Sequence, residues 1–169
     1  MTIRKALFDH QKTAINVVKK YLKSDVDGAC LINMPTGSGK TGIIAMVSHF
    51  TEEGNVLVLA PRIAIKNQLL KEIGGNFFEK IGKKPSAKRV LPLRSNLDYA
   101  KNCIVVDTIQ KIDRNRKLGN EIYKLLKSNI DLVIIDEGHY EPALSWSNTI
   151  REFEKKMHSV YSNPLQKRF

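Results

Sequence analysis

Apolar residues in the first part of the chain recur at the spacing of one helical face. Between residues 7 and 22 they fall three or four positions apart, which predicts an amphipathic helix over that range. The positions that share this face are Leu7, Phe8, Gln11, Ala14, Ile15, Val18 and Leu22. The predicted helix precedes the first predicted strand.

Short uninterrupted apolar runs then alternate with helical stretches. The runs predict buried strands at 29–34, 56–60, 103–106 and 132–135, with a further short strand at 89–93. Helices are expected after Lys40, Arg62 and Gly119, and another is expected at 142–157. Such alternation is typical of an α/β fold, a mainly parallel sheet covered by helices on both faces.

Composition and length are those of one globular domain. The 169 residues are 42% hydrophobic and 27% charged, which favours a packed core over disorder. The longest apolar runs have four or five residues, where a membrane-spanning helix needs about 20. We therefore expect a single domain over residues 1–169 in a cytoplasmic protein, with Cys30 and Cys103 as reduced, buried thiols.

The chain carries a net charge of +11, which favours polyanionic partners because neutralised phosphates release their counterions. Basic residues cluster at 80–89, at 111–117 and near the end of the chain. Each cluster is also compatible with an ordinary solvated surface. Charge alone therefore indicates nucleic acid only weakly.

A phosphate-binding loop is the strongest signal in the sequence. An apolar run leads into Met34, Pro35, Thr36, Gly37, Ser38, Gly39, Lys40 and Thr41, and a helical stretch follows. The glycines let successive N–H groups turn toward a phosphate, Lys40 would contact the β- and γ-phosphates, and Thr41 would bind magnesium. Met34 stands where this motif usually has glycine, and a plain glycine-rich turn is the alternative.

An acidic motif follows the last predicted strand. Asp136, Glu137, Gly138 and His139 come directly after the apolar run at 132–135. In open α/β sheets the carboxyl ends of the strands face the ligand. Asp136 would then hold Mg²⁺ and Glu137 would activate the attacking water. By itself such a pair is more often a helix N-terminal cap or an exposed turn, but the phosphate loop favours the catalytic interpretation.

These motifs together resemble superfamily 2 helicases and translocases, in the branch of type I and type III restriction enzyme helicase subunits and related repair motors. A glutamine ahead of the first strand, P-T-G-S-G-K-T and D-E-x-H occur at Gln11, at 35–41 and at 136–139. The resemblance covers almost the whole chain. It implies a three-layer, RecA-like P-loop domain that corresponds to the first of the two lobes of such motors.

The resemblance also implies roles for individual residues. Gln11 would read the adenine edge of ATP, although a surface glutamine is the alternative. Arg62 and Thr108 would contact the nucleic-acid backbone, and Thr108 is equally compatible with an ordinary helix cap. His139 would couple the nucleotide site to a segment on the next strand, which we do not find in this chain.

The function implied is that of an ATP-binding lobe of a nucleic-acid-dependent ATPase, a helicase or translocase of the restriction, repair or defence type. The second lobe, which supplies arginines to the transferring phosphate, is expected in a partner or another part of the protein, so this chain should turn over little ATP by itself. The alternative is a nucleotide-controlled binding module without useful hydrolysis. DNA is favoured over RNA only by the family branch. A kinase or small-molecule transferase would need an acceptor pocket and a lid that the sequence does not suggest, and the acidic motif at 136–139 favours helicase chemistry instead.

Overall fold

A computed structural model describes residues 7–24, 30–51, 54–94, 102–137 and 144–153. Its helices are α1 Asp9–Leu22, α2 Lys40–Ser48, α3 Ile63–Lys71, α4 Phe77–Lys80, α5 Ile109–Lys117, α6 Glu121–Asn129 and α7 Leu144–Arg151. The segment Glu72–Asn76 joins α3 to α4, and it is kinked at Gly75, whose φ of 149° is not helical. The strands are β1 Asn55–Ala60, β2 Arg89–Leu91, β3 Cys103–Thr108 and β4 Ile130–Ile135.

The four strands form one sheet in the order β2-β3-β1-β4, and every neighbouring pair is parallel. In the register of the central pair, Ala60 lies opposite Thr108, and on the other side of β1 Leu59 lies opposite Ile135. The carboxyl ends of β1, β3 and β4 therefore lie side by side at one edge of the sheet. Residues that follow these strands are brought together there.

Alternate side chains of the strands pack into two separate hydrophobic cores, one on each face of the sheet. On one face, residues such as Val58, Val106 and Ile134 pack with α1, α2, α3 and α4. On the other face, Leu59, Val105 and their neighbours pack with α5 and α6. Because successive side chains of a strand point to opposite faces, a continuous apolar run fills both cores. The prediction of a three-layer α/β domain with a mainly parallel sheet is confirmed.

The predicted strand at 29–34 is wrong over the part that the structure describes, since residues 30–35 are irregular. Ile32 and Met34 are buried in the core beside α1 and α2, whereas Leu31 and Asn33 are exposed. One-sided burial satisfies the apolar residues without ladder hydrogen bonds to a neighbouring strand. The apolar run predicted burial correctly, but burial alone does not require strand pairing.

The other predicted elements are present with small shifts of their ends. Helix α1 begins two residues later than predicted, and β2 ends at Leu91 rather than residue 93. The helix α5 was not among the predicted helices, although Thr108 was recognised as a candidate cap. Helix α7 spans Leu144–Arg151, and the rest of the predicted helix lies outside the described residues. Cys103 is buried as expected, whereas Cys30 is only partly buried.

The helix that follows the phosphate loop packs closely on the segment after α3. A Cβ atom added at Gly42 would lie 2.3 Å from Cε2 of Phe77, so the two elements meet where α2 has no side chain. At the other end of α2, Nε2 of His49 donates to the carbonyl oxygen of Ile73 at 3.0 Å. These contacts hold α2, and hence the phosphate loop, against the kinked segment Glu72–Asn76 and α4.

Gly42→Ala should therefore lower the free energy of unfolding by about 1–3 kcal/mol, because the ring of Phe77 must move to admit a methyl group. Chemical denaturation in urea measures the change. Gly74→Ala is the matched control, since a Cβ there meets no atom within 4 Å. This control should be neutral or stabilising by up to about 1 kcal/mol. Equal stability of the two variants would contradict the close packing.

A polar network fastens α7 to α5 and α6 on the second face. Asp113 is buried and accepts hydrogen bonds from Thr149 at 2.9 Å and from Arg116 at 3.1 Å. Glu152 accepts from the hydroxyl of Tyr123 at 3.1 Å. Burial, together with this hydrogen bond, raises the pKa of Tyr123. The network fixes the helix that follows the acidic motif, and it spans elements that are remote in sequence.

No helix among the described residues combines the length and the apolar character that crossing a membrane requires.

Candidate nucleotide site

The phosphate loop and the acidic motif meet at the carboxyl edge of the sheet. Asp136 follows β4 directly, and its N–H donates to the carbonyl oxygen of Leu59 at 2.9 Å. The chain therefore leaves β4 beside the carboxyl end of β1. Glu137 has a positive φ of 56°, a left-handed backbone that residues other than glycine adopt only uncommonly. The strand therefore ends in a turn at residues 136 and 137.

The side chains of Lys40 and Glu137 form an ion pair. Nζ of Lys40 lies 3.0 Å from Oε1 of Glu137, although the two residues are 97 positions apart in the sequence. The side chains are 18% and 27% exposed, respectively, so the pair is partly shielded from solvent. The structure thus brings together the lysine of the phosphate loop and the carboxylate that the sequence predicted as the activator of water.

Left-handed glycines shape the loop itself. Gly37 and Gly39 have φ values of 81° and 83°, which side-chain-bearing residues adopt only at a cost. Gly39 is the N-cap of α2, so the positive end of the helix dipole begins at the loop. Met34, which stands in place of the usual glycine, is 6% exposed and belongs to the core beneath the loop. This position accordingly needs an apolar side chain here.

The residues predicted to hold magnesium lie on the two elements that flank this ion pair. Thr41 is in the first turn of α2 next to Lys40, and Asp136 precedes Glu137. The described residues contain no cluster of three or more His, Cys, Asp or Glu side chains suited to a metal. A hydroxyl and one carboxylate fit Mg²⁺, because this ion takes oxygen ligands and obtains many of them from water and nucleotide phosphates.

Gln11 lies on α1 and contacts the phosphate loop. Its side chain is 6% exposed; Nε2 donates to the carbonyl oxygen of Ser38 at 3.1 Å, and Oε1 accepts from the N–H of Phe8 at 3.0 Å. A Cβ atom at Gly39 would lie 2.1 Å from Nε2 of Gln11. The glutamine is therefore a buried neighbour of the loop and not a surface residue. Its contact with adenine stays a prediction.

The two segments predicted to bind nucleic acid are adjacent. Arg62 is exposed at the N-cap of α3, and Thr108 ends the neighbouring strand β3. Gln110 ties the segments together by donating to the carbonyl oxygen of Pro61 at 2.9 Å. Oγ1 of Thr108 accepts from the N–H of Lys111 at 3.4 Å, so this residue caps α5. Capping was one of the two interpretations of Thr108, and its phosphate contact stays a prediction.

The sequence matches a known protein family over most of its length. Residues 4–159 match the model of the type III restriction enzyme res subunit, which covers most of the chain. The chain belongs to this family. None of the curated proteins matches the sequence significantly.

Several helicases of known structure share the fold of this chain. The UvsW helicase of bacteriophage T4 superposes with a TM-score of 0.66 at 18% identity, over 99% of this chain and 57% of that one. The helicase domain of Pyrococcus furiosus Hef gives 0.65 at 22% identity, over 98% and 34%. MrfA bound to DNA and AMPPNP gives 0.61 at 15% identity, over 95% and 24%. The chain thus spans little more than half of the first relative and less of the others.

The family match and these folds confirm the predicted superfamily 2 relationship and the RecA-like fold of a first helicase lobe. Of the predicted site residues, His139 lies outside the described residues. The structure also draws attention to one residue that the sequence analysis did not single out. Asp107, in a buried strand, is 1% exposed and accepts from Nζ of Lys111 at 2.9 Å and from the N–H of Leu93 at 3.1 Å. An acid within an apolar strand was the signal available for it.

A cavity of about 550 Å³ opens beside the phosphate loop, between α1 and the segment that precedes α2. It is lined mainly by apolar groups, which include Val17, Leu31 and Met34, and it reaches Pro35 and Ser38 in the loop. An apolar wall does not suit phosphates, whereas it suits a flat organic ring.

Proposed function

We propose that this chain binds Mg-ATP at the Lys40 and Glu137 site and hydrolyses it when a second helicase lobe completes that site. The observation that carries the proposal is the 3.0 Å contact between these two side chains. This contact joins the phosphate-binding loop to the acidic motif at the carboxyl edge of the sheet. A plain glycine-rich turn does not require an ion pair with a carboxylate 97 residues away in the sequence.

Each residue has a part in this proposal. Lys40 neutralises the β- and γ-phosphates and the N–H groups of residues 37–41 surround their oxygens. Thr41 and Asp136 would hold Mg²⁺, and the bound ion would neutralise negative charge on the phosphates. Glu137 orients or deprotonates the attacking water once the nucleotide draws Lys40 away from it. The adenine lies toward the apolar cavity near Gln11.

The partner in this proposal is nucleic acid, with DNA favoured. Support comes from the net charge of +11, from the adjacent positions of Arg62 and Thr108, and from a fold neighbour, MrfA, that is described with DNA and AMPPNP. Membership of the family favours a role in restriction, repair or defence. His139 is proposed to couple the nucleotide site to the rest of the motor, and a cytoplasmic location remains our expectation.

Steady-state release of phosphate from Mg-ATP, with and without double-stranded DNA, tests the function. An arginine supplied in trans contributes roughly 10³ to 10⁵ in rate in related systems. We therefore expect tight nucleotide binding with little turnover by the chain alone, and stimulation when a second lobe and DNA are added. Failure to bind Mg-ATP would contradict the proposal at its first step. Binding without any stimulation would leave a nucleotide-controlled binding module.

Arg62→Ala should weaken binding to double-stranded DNA while leaving the affinity for Mg-ATP unchanged. If Arg62 neutralises one phosphate, the slope of the logarithm of the association constant against the logarithm of salt concentration should fall by about 1. Fluorescence anisotropy at several salt concentrations measures both quantities. Lys124→Ala is the charge-matched control, because that lysine pairs with Glu121 on α6. Equal losses in both variants would mean that only net charge matters.

A further inference from the structure

Two side chains of α1 hold one carbonyl group of the phosphate loop. Nε2 of His10 lies 2.9 Å from the carbonyl oxygen of Ser38, and Nε2 of Gln11 donates to the same oxygen at 3.1 Å. A carbonyl oxygen only accepts hydrogen bonds, so Nε2 of His10 carries a hydrogen. The oxygen has two lone pairs, and the two donors use both of them.

The position of this carbonyl sets the direction of an N–H group that faces the phosphates. The oxygen of Ser38 and the N–H of Gly39 belong to one planar peptide unit, and the described residues contain no cis peptide bond. In a trans peptide the C=O and N–H bonds point in opposite directions. Donors that hold the oxygen toward α1 therefore direct the N–H of Gly39 away from α1, into the loop directly before Lys40.

We propose that His10 is a positioning residue for the phosphate loop, which acts through the peptide unit between Ser38 and Gly39 to present an N–H group to the nucleotide phosphates. The inference rests on the proposed nucleotide site and adds to it a residue that acts on the phosphates through the backbone. Gly39 has a left-handed φ of 83°, and glycine peptides of this kind rotate readily unless their polar groups are held.

Phe8 fixes both donors. Its N–H donates to Oε1 of Gln11 at 3.0 Å, and its ring stacks on His10 with 5.6 Å between centroids and 8° between planes. Phe8 is 63% exposed and His10 is also exposed. The pair adds little to the hydrophobic core, so its arrangement serves the loop more than the stability of the fold.

Two substitutions distinguish the contribution of the His10 hydrogen-bond donor from that of its aromatic ring. His10→Phe keeps a flat ring to stack on Phe8 and removes the donor, whereas His10→Gln keeps a side-chain N–H at similar reach. Two probes, Mg-ADP and inorganic triphosphate with Mg²⁺, are measured by displacement of a fluorescent nucleotide. Lys12→Ala on the same helix is the control, because its ammonium pairs with Asp9 at 2.9 Å. Urea unfolding of each variant reports its stability.

His10→Phe should weaken both probes by roughly three- to tenfold, the range that one hydrogen bond contributes. His10→Gln should stay within about twofold of the unchanged chain, and the urea midpoints of both should match it. Unchanged affinity in His10→Phe would overturn the inference, as would equal losses in the two variants. A loss confined to Mg-ADP would place His10 at the base and would also overturn it. If the unchanged chain binds neither probe, the proposed function itself fails.

Discussion

Lys40→Ala is expected to weaken the binding of Mg-ATP by about 100-fold or more. The ammonium group is 18% exposed, and it is directed across the site toward Glu137. A charge-assisted hydrogen bond to a phosphate in such a position contributes up to about 3 kcal/mol, which corresponds to roughly a 100-fold change in affinity. The substitution also removes the cation that pairs with Glu137, so the carboxylate of Glu137 repels the nucleotide phosphates and lowers the affinity further.

Isothermal titration with Mg-ATP measures this loss. Lys80→Ala is a suitable control, because it removes an exposed lysine that pairs with Glu72 at 2.6 Å and leaves the phosphate loop intact. The control should bind as tightly as the unchanged chain. If Lys40→Ala retained full affinity, the assignment of the loop as the phosphate site would have to be abandoned.

Glu137→Gln is expected to preserve nucleotide binding and to remove the hydrolysis that we propose for the completed motor. Glutamine keeps the shape of the side chain and cannot take a proton from water. Loss of a general base costs about 10² to 10⁴ in rate. Affinity should be unchanged or higher, because the neutral amide no longer competes with the phosphates for Lys40, which now lies 3.0 Å from the carboxylate.

Phosphate release in the presence of double-stranded DNA and a second lobe gives the rate, and titration with Mg-ATP gives the affinity. Glu121→Gln is the control, since Glu121 is an exposed residue of α6 that pairs with Lys124. Residual hydrolysis in Glu137→Gln at the original rate would assign the activity to another carboxylate or to a contaminant. Loss of affinity would instead indicate that Glu137 serves the architecture of the loop.

Much of the sheet could be predicted because β1, β3 and most of β4 are buried on both faces, whereas β2 is only partly buried. The runs at 56–60, 103–106 and 132–135 are apolar at every position, and each lies within an observed strand. The run at 29–34 looked similar, yet its described residues are buried on one side only. Whether a strand pairs depends on the neighbouring backbone, which local residues do not specify. The kink before α4 also escaped prediction, since its segment packs on the end of α2 through a contact between Ile73 and His49, 24 residues apart.

The sequence by itself specified the kind of ligand that this chain is suited to bind, a nucleotide phosphate with Mg²⁺. The residues that specified it are the glycines at 37 and 39, the lysine at 40 and the two acids at 136 and 137. Their arrangement in space depended on the parallel sheet, which sets the carboxyl ends of β1, β3 and β4 side by side, and on the packing of α2 against that sheet. Together they place Lys40 3.0 Å from Glu137. The contacts of His10 and Gln11 with Ser38 likewise span 28 and 27 residues. Short-range patterns reflect local backbone preferences and burial, whereas these distances follow from the packing of the whole domain.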